Sequence, residues 1–141
     1  MGAVVVLGAA LFAIGSPRAD AVLPARDRPA AGYVLRLVDY ARELLIDKAT
    51  LQAHEPYRGV EVWSADSAIG NRCLIALERT SNRLLGATCV PPAALPTLDI
   101  YNVPVLSADD WHEGLPMGTV VRFTLDGDSV QAWLYPGSSP L

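Results

Sequence analysis

The residues best suited to chemistry in this chain are Asp109, Asp110, His112 and Glu113, crowded into one short run. Two carboxylates beside an imidazole could hold a hard or borderline cation, or serve as acid and base in proton transfer. A calcium loop of the EF-hand kind needs ligands at fixed alternating offsets and a glycine at its sharp turn, and Ser107-Ala108-Asp109-Asp110-Trp111-His112-Glu113 supplies neither. The same run fits a short helical turn capped by Ser107 or Asp109, with its acids where a helix N-terminus favours them. That cap-and-loop reading is the expectation, so no metal is expected; these four residues are the candidate ligands if one binds.

Other chemistry is sparse. Tyr57, Trp63, Trp111, Trp133 and Tyr135 could line a ligand groove, although aromatics at alternating strand positions are more often core or cross-strand pairs. Trp63 and Trp111, with His112, are the candidate binding residues. His54, beside Glu55, reads as a surface or turn residue. The sequence holds no G-x-S-x-G or S-x-x-K nucleophile motif and no phosphate-binding glycine loop. No catalytic residue and no cofactor is expected.

The elements that must position these residues begin with a hairpin. Cys73-Leu74-Ile75-Ala76-Leu77-Glu78 and Leu84-Leu85-Gly86-Ala87-Thr88-Cys89-Val90 are apolar arms around the polar link Arg79-Thr80-Ser81-Asn82-Arg83. A turn centred on Ser81 sets Cys73 opposite Cys89 and points Glu78 toward Leu84–Thr88. Directly opposed Cβ atoms lie roughly 4.5–5.5 Å apart, close enough for a cross-strand disulfide after a small adjustment. The alternative is a pair of buried free thiols. The spacing excludes a C-x-x-C motif, and two cysteines with two distant histidines do not make a zinc site.

With 141 residues the chain has room for one domain of about 100 residues and an appendage. Eleven basic against 15 acidic residues give a net charge of -4 and no basic stripe, which argues against a nucleic-acid partner. Gly2 to Gly15 carries no charge and no hydrogen-bonding side chain. As a helix it covers about 21 Å, short of the ~30 Å hydrocarbon core. Residues 1–16 are therefore expected to be the end of a transmembrane anchor whose start lies upstream, holding the chain to the lipid bilayer. The alternative is a signal segment, with secretion after cleavage at Ala19-Asp20-Ala21.

Residues 17–31, with three prolines and alternating charges, read as an extended linker. Tyr33 to Ile46 reads as an amphipathic helix, with Val34, Leu37, Val38, Ala41, Leu44 and Leu45 on the face that covers a sheet. Strand alternation follows at Thr50–His54, Val60–Ser64, Leu98–Val103, Thr119–Leu125 and Ser129–Tyr135; Asp126-Gly127-Asp128 is a strong hairpin turn. The expected fold is α+β, mainly antiparallel: a small curled sheet, half-barrel or sandwich, of about five to seven strands with one helix. Residues 32–135 form the domain and 136–141 a flexible tail.

The apolar start, the Pro/Arg/Asp linker, Tyr57-Arg58-Gly59-Val60-Glu61-Val62-Trp63-Ser64-Ala65, Cys73-Leu74-Ile75-Ala76, Gly86-Ala87-Thr88-Cys89 and Gly114-Leu115-Pro116…Val121-Arg122-Phe123 form a pattern. It resembles uncharacterised membrane-anchored proteins of high-GC Gram-positive bacteria with one small extracytoplasmic domain carrying a Cys pair. The resemblance implies export to an oxidising compartment, which favours the disulfide. It implies no site residues. The expected function is a non-enzymatic, membrane-tethered extracytoplasmic module for interaction or structure. The alternatives are a sensor of a small molecule or envelope component through Trp63, Trp111 and the 107–116 loop, and a metal-assisted hydrolase using Asp109, Asp110, His112 and Glu113.

Overall fold

The computed structural model describes residues 18–101 and 114–138. Asp109, Asp110, Trp111, His112 and Glu113 lie outside the described residues, as do the apolar segment 1–16, the end of the strand expected at Leu98–Val103, and residues 139–141.

The described residues form nine strands and one helix. The strands are β1 (Ala21–Leu23), β2 (Ala25–Arg26), β3 (Ile46–His54), β4 (Val60–Ser67), β5 (Arg72–Glu78), β6 (Arg83–Val90), β7 (Thr97–Tyr101), β8 (Val120–Asp126) and β9 (Ser129–Tyr135). They pair antiparallel in two sheets, a four-stranded one in the order β1-β9-β8-β7 and a five-stranded one in the order β2-β3-β4-β5-β6.

Alternation along the strands explains the packing. Val60, Val62, Leu74 and Ala76 on one face of the five-stranded sheet meet Ile100, Val121, Phe123, Leu125, Val130 and Ala132 of the other sheet. The opposite face carries Ala53, Trp63, Ala65, Cys73, Ile75 and Leu77 beneath the helix residues Val34, Leu37 and Val38. Strands buried on both faces lose polar alternation and read as continuous apolar runs. Cys73-Leu74-Ile75-Ala76-Leu77, buried throughout, is such a run. Each large side chain sealed here contributes roughly 1.5–3 kcal/mol of transfer free energy.

Helix α1 spans Gly32–Val38 and passes into a 3-10 turn over Asp39–Leu44, shorter than the helix expected to Ile46. Ala41 leaves helical geometry (φ -107, ψ 33), and Leu45 takes a left-handed conformation at φ 57. A left-handed residue is a common helix stop. It lets Ile46 open β3 with no further connection.

The stretch read as a linker is structured after residue 20. Ala21 and Leu23 of β1 lie opposite Ala132 and Val130 of β9, while Ala25 and Arg26 of β2 lie opposite His54 and Ala53 of β3. The chain thus passes from one sheet to the other at Pro24. Strands of three and two residues are too short for alternation to reveal, and they account for the two strands beyond the expected seven.

The cysteine hairpin has the expected register over its outer half, with Cys73 opposite Cys89 and Ala76 opposite Gly86. A bulge between Ala76 and Leu77 then sets Glu78 opposite Arg83 instead of against Leu84–Thr88. The disulfide joins Cys73 to Cys89, with a Cα–Cα distance of 4.0 Å. In the segment read as a tail, Gly137 donates its N–H to Thr119 Oγ1 at 2.9 Å.

Candidate functional site

Two expected residues take other places. Trp63, a candidate binding residue, is 1% exposed and belongs to the core beneath the helix. Its indole faces inward because odd-numbered β4 residues point to the helix-covered side, and the Arg28 guanidinium lies 5.6 Å from its ring centroid. His54, expected at the surface, is also 1% exposed. It points into the space between the sheets, where Nε2 lies 2.8 Å from Ser64 Oγ. Tyr57 packs edge-on against Phe123 at 6.2 Å between centroids, as a core residue would.

The inter-sheet space ends in polar side chains. Thr50, Gln52, His54, Ser64, Arg72 and Asp128 line an opening of about 440 Å3 beside Ala25. Burial holds the His54 imidazole below its ordinary pKa, with the Leu23 backbone pulling the other way, so the ring is neutral near pH 7. A serine bonded to a neutral histidine could act as nucleophile and base. Here Ser64 is itself buried. The guanidinium of Arg72 is engaged by Asp66 Oδ1 at 3.0 Å and the Gly127 carbonyl at 3.5 Å. The contact satisfies His54 Nε2 and the buried Ser64 hydroxyl, while His54 Nδ1 is buried with no hydrogen-bond partner among the described residues.

A second polar cluster ties down the helix. Tyr33 Oη donates to Glu61 Oε1 at 2.7 Å, and Arg28 Nη2 lies 3.9 Å from the same oxygen. Burial, then the bond to the Glu61 carboxylate, pushes the Tyr33 pKa up to about 12. Among the described residues, no three His, Cys, Asp or Glu side chains converge on a possible metal position.

The outer face of the four-stranded sheet is different in kind. The five-stranded sheet has its outer face under the helix; no described element covers this one. The register resolves the face into three rows running across the strands. Tyr101, Val120 and Tyr135 form the first, and Asp99, Arg122 and Trp133 the second. The third runs Thr97, Thr124, Gln131 and Val22. Tyr101 is 63% exposed and Tyr135 47%.

At the centre Arg122 Nε donates to Asp99 Oδ1 at 2.8 Å and Nη2 to Oδ2 at 3.0 Å. The guanidinium also lies 5.6 Å from the Tyr135 ring centroid. The bond from Arg122 holds the Asp99 carboxyl below its ordinary pKa of 3.8, against the opposing effect of burial. Arg122 is raised in turn, chiefly by the same hydrogen bond. Thr97 and Thr124 join hydroxyls at 3.1 Å. Thr97, Arg122, Thr124, Trp133 and Tyr135 line a shallow depression of about 280 Å3.

Trp133 and Tyr135 were visible in the sequence as aromatics on alternating strand positions. Asp99, Tyr101 and Arg122 were not singled out, since only the pairing of β7 with β8 and β8 with β9 brings them together. Comparison with protein-family models, curated proteins and solved structures finds no match.

Proposed function

We propose that this protein is a non-enzymatic binding module held at the outside of the cell membrane, and that it engages its partner through the outer face of the four-stranded sheet. One observation carries the reading. Three aromatic side chains and an internally neutralised ion pair share a face that no described element covers, while the other sheet spends its outer face on the helix. Tyr, Trp and Arg are the residues most enriched where binding energy concentrates. The Cys73–Cys89 disulfide and the apolar stretch Gly2–Gly15 support an extracytoplasmic, single-pass placement, since disulfides persist in oxidising compartments.

The test is retention on envelope fragments. Full-length protein in detergent micelles is spun with detergent-extracted envelope, beside a Tyr101→Ser/Trp133→Ala/Tyr135→Ser variant and a Tyr40→Ala control. The wild type and the control are expected to sediment with the fragments and the triple variant to stay in solution. Equal sedimentation of the triple variant, with its urea unfolding still cooperative, would refute the proposal.

A further inference from the structure

We infer that the partner of this face is a neutral, polyhydroxylated polymer, a saccharide chain of the cell envelope; the inference rests on the binding role proposed above.

Charge is the first argument. The ionised groups of the central rows are Arg122 and Asp99, and they neutralise each other across β7 and β8. The two central rows therefore offer no net charge. Asp126, opposite Ser129 at the hairpin end, and Asp20, whose Oδ2 accepts from Leu134 N–H beside Trp133, put negative charge at the margins, so nothing here attracts an acidic partner. It does offer donors and acceptors side by side. A guanidinium carries five N–H donors, of which these bonds use two, and a carboxylate has about four acceptor sites. A sugar presents neighbouring hydroxyls that each donate and accept, which suits such a pair. Thr97, Thr124 and Gln131 extend the same mixed character into the next row.

The rings are the second argument. Trp133 and Tyr135 are two residues apart on β9, so they stand about 7 Å apart along the strand. Tyr101 shares a row with Tyr135, with Val120 between them. The faces of aromatic rings carry negative charge density and attract weakly positive hydrogens. The axial C–H groups of a pyranose supply those hydrogens on a flat apolar face, while its hydroxyls point sideways toward the polar row.

Size decides between a polymer and the other occupants. Four strands of about five residues each cover about 330 Å2 in projection, from ~4.8 Å between strands and ~3.4 Å per residue. A stable protein interface takes about 800 Å2 of accessible surface from each partner, so a second copy or a folded protein would have to reach beyond this face onto the sheet edges. A small metabolite, in turn, needs a cleft that encloses most of its surface. A depression of about 280 Å3 on an open face suits a narrow chain lying across it.

The test titrates the full-length protein, in detergent micelles, with neutral tetramers of glucose, mannose and N-acetylglucosamine, and with polygalacturonate as an anionic control. The readouts are calorimetry and the Trp133 indole N–H resonance, assigned with Trp133→Phe. At least one neutral tetramer is expected to bind and shift that resonance. Trp133→Ala should weaken binding about tenfold or more, as for a buried aromatic anchor, with Trp133→Phe retaining part of it and Tyr40→Ala all of it. Failure of every neutral tetramer to bind, or binding of polygalacturonate alone, would overturn the inference. Retention on envelope fragments that survives periodate oxidation of the glycans but not protease would leave the binding role standing and assign the face to a protein. A dimer in sedimentation that Tyr101→Ser/Tyr135→Ser abolishes would assign it to a second copy. Either result removes the saccharide.

Discussion

Asp99 and Arg122 stand directly opposite each other on β7 and β8, and two hydrogen bonds fix the carboxylate to the guanidinium. This pair lies at the centre of the open face, and its electrostatics can be read without any ligand. In Arg122→Ala the Asp99 carboxyl should titrate back up toward 3.8, its ordinary value. Carbon-detected NMR of the side chain over pH 2–6 checks this. A depressed carboxyl stabilises the fold above its unfolded pKa and loses that effect as pH falls through its folded one. Screening at this exposed site keeps the effect small.

Removing the disulfide should act on the unfolded chain. Cys73 and Cys89 are 16 positions apart, and closing a loop of that size is worth about 3 kcal/mol in the chain-entropy model. Cys73→Ala/Cys89→Ala should lower the urea midpoint accordingly, with a somewhat steeper slope because the unbridged chain unfolds to a more expanded state. An unchanged midpoint would mean that the bridge adds nothing to stability.

His54 makes stability fall on acidification in a higher pH range than the carboxylates do. Burial lowers its pKa in the folded protein, so the unfolded chain binds the proton more readily. Stability from this group is complete above about pH 6.5, the ordinary histidine value, and is lost as pH falls from there toward the lowered folded value. Arg72 and Asp128 border the same opening and act on the imidazole in opposite directions. His54→Gln should flatten the stability profile over that window, as measured by urea unfolding at fixed pH steps.

The helix is docked partly through one hydroxyl. Tyr33→Phe deletes the bond to the buried Glu61 carboxylate and should cost about 1–2 kcal/mol. Hydrogen exchange should show the loss first as weaker protection of Gly32–Leu44, with β8 and β9 unaffected.

Gly137 is packed where no side chain fits. A Cβ built there would lie 1.8 Å from the Met117 carbonyl oxygen, a backbone atom that cannot rotate away. Gly137→Ala should therefore displace the segment after β9 at a cost of about 1–3 kcal/mol. Loss of the bond from Gly137 N–H to Thr119 would accompany it, visible as a shifted Thr119 hydroxyl environment by NMR.

Sequence reading reached what local pattern encodes. The Asp126-Gly127-Asp128 turn and the opposition of Cys73 and Cys89 were legible. That opposition is nonetheless reached by a tighter turn, with Glu78 opposite Arg83, and a compensating bulge between Ala76 and Leu77 that no local pattern announces. Trp63 and His54 were misplaced for a different reason. What covers each face of β3 and β4 depends on the helix and on a second sheet, three of whose four strands come from the other end of the chain. The Asp99–Arg122–Trp133 row likewise joins three strands, two of them separated by more than a turn, and no local periodicity announces it.

The passage at Pro24 has a mechanical meaning. In the proposed membrane-tethered arrangement the tether would enter the domain through β1, whose three residue pairs bind it to β9, the strand that also bears Trp133 and Tyr135. Tension between a membrane and a polymer held on that face would therefore run through a very short ladder before reaching the five-stranded sheet. That ladder would yield first under load, letting the tether lengthen by a few residues while the disulfide-stapled body stays folded.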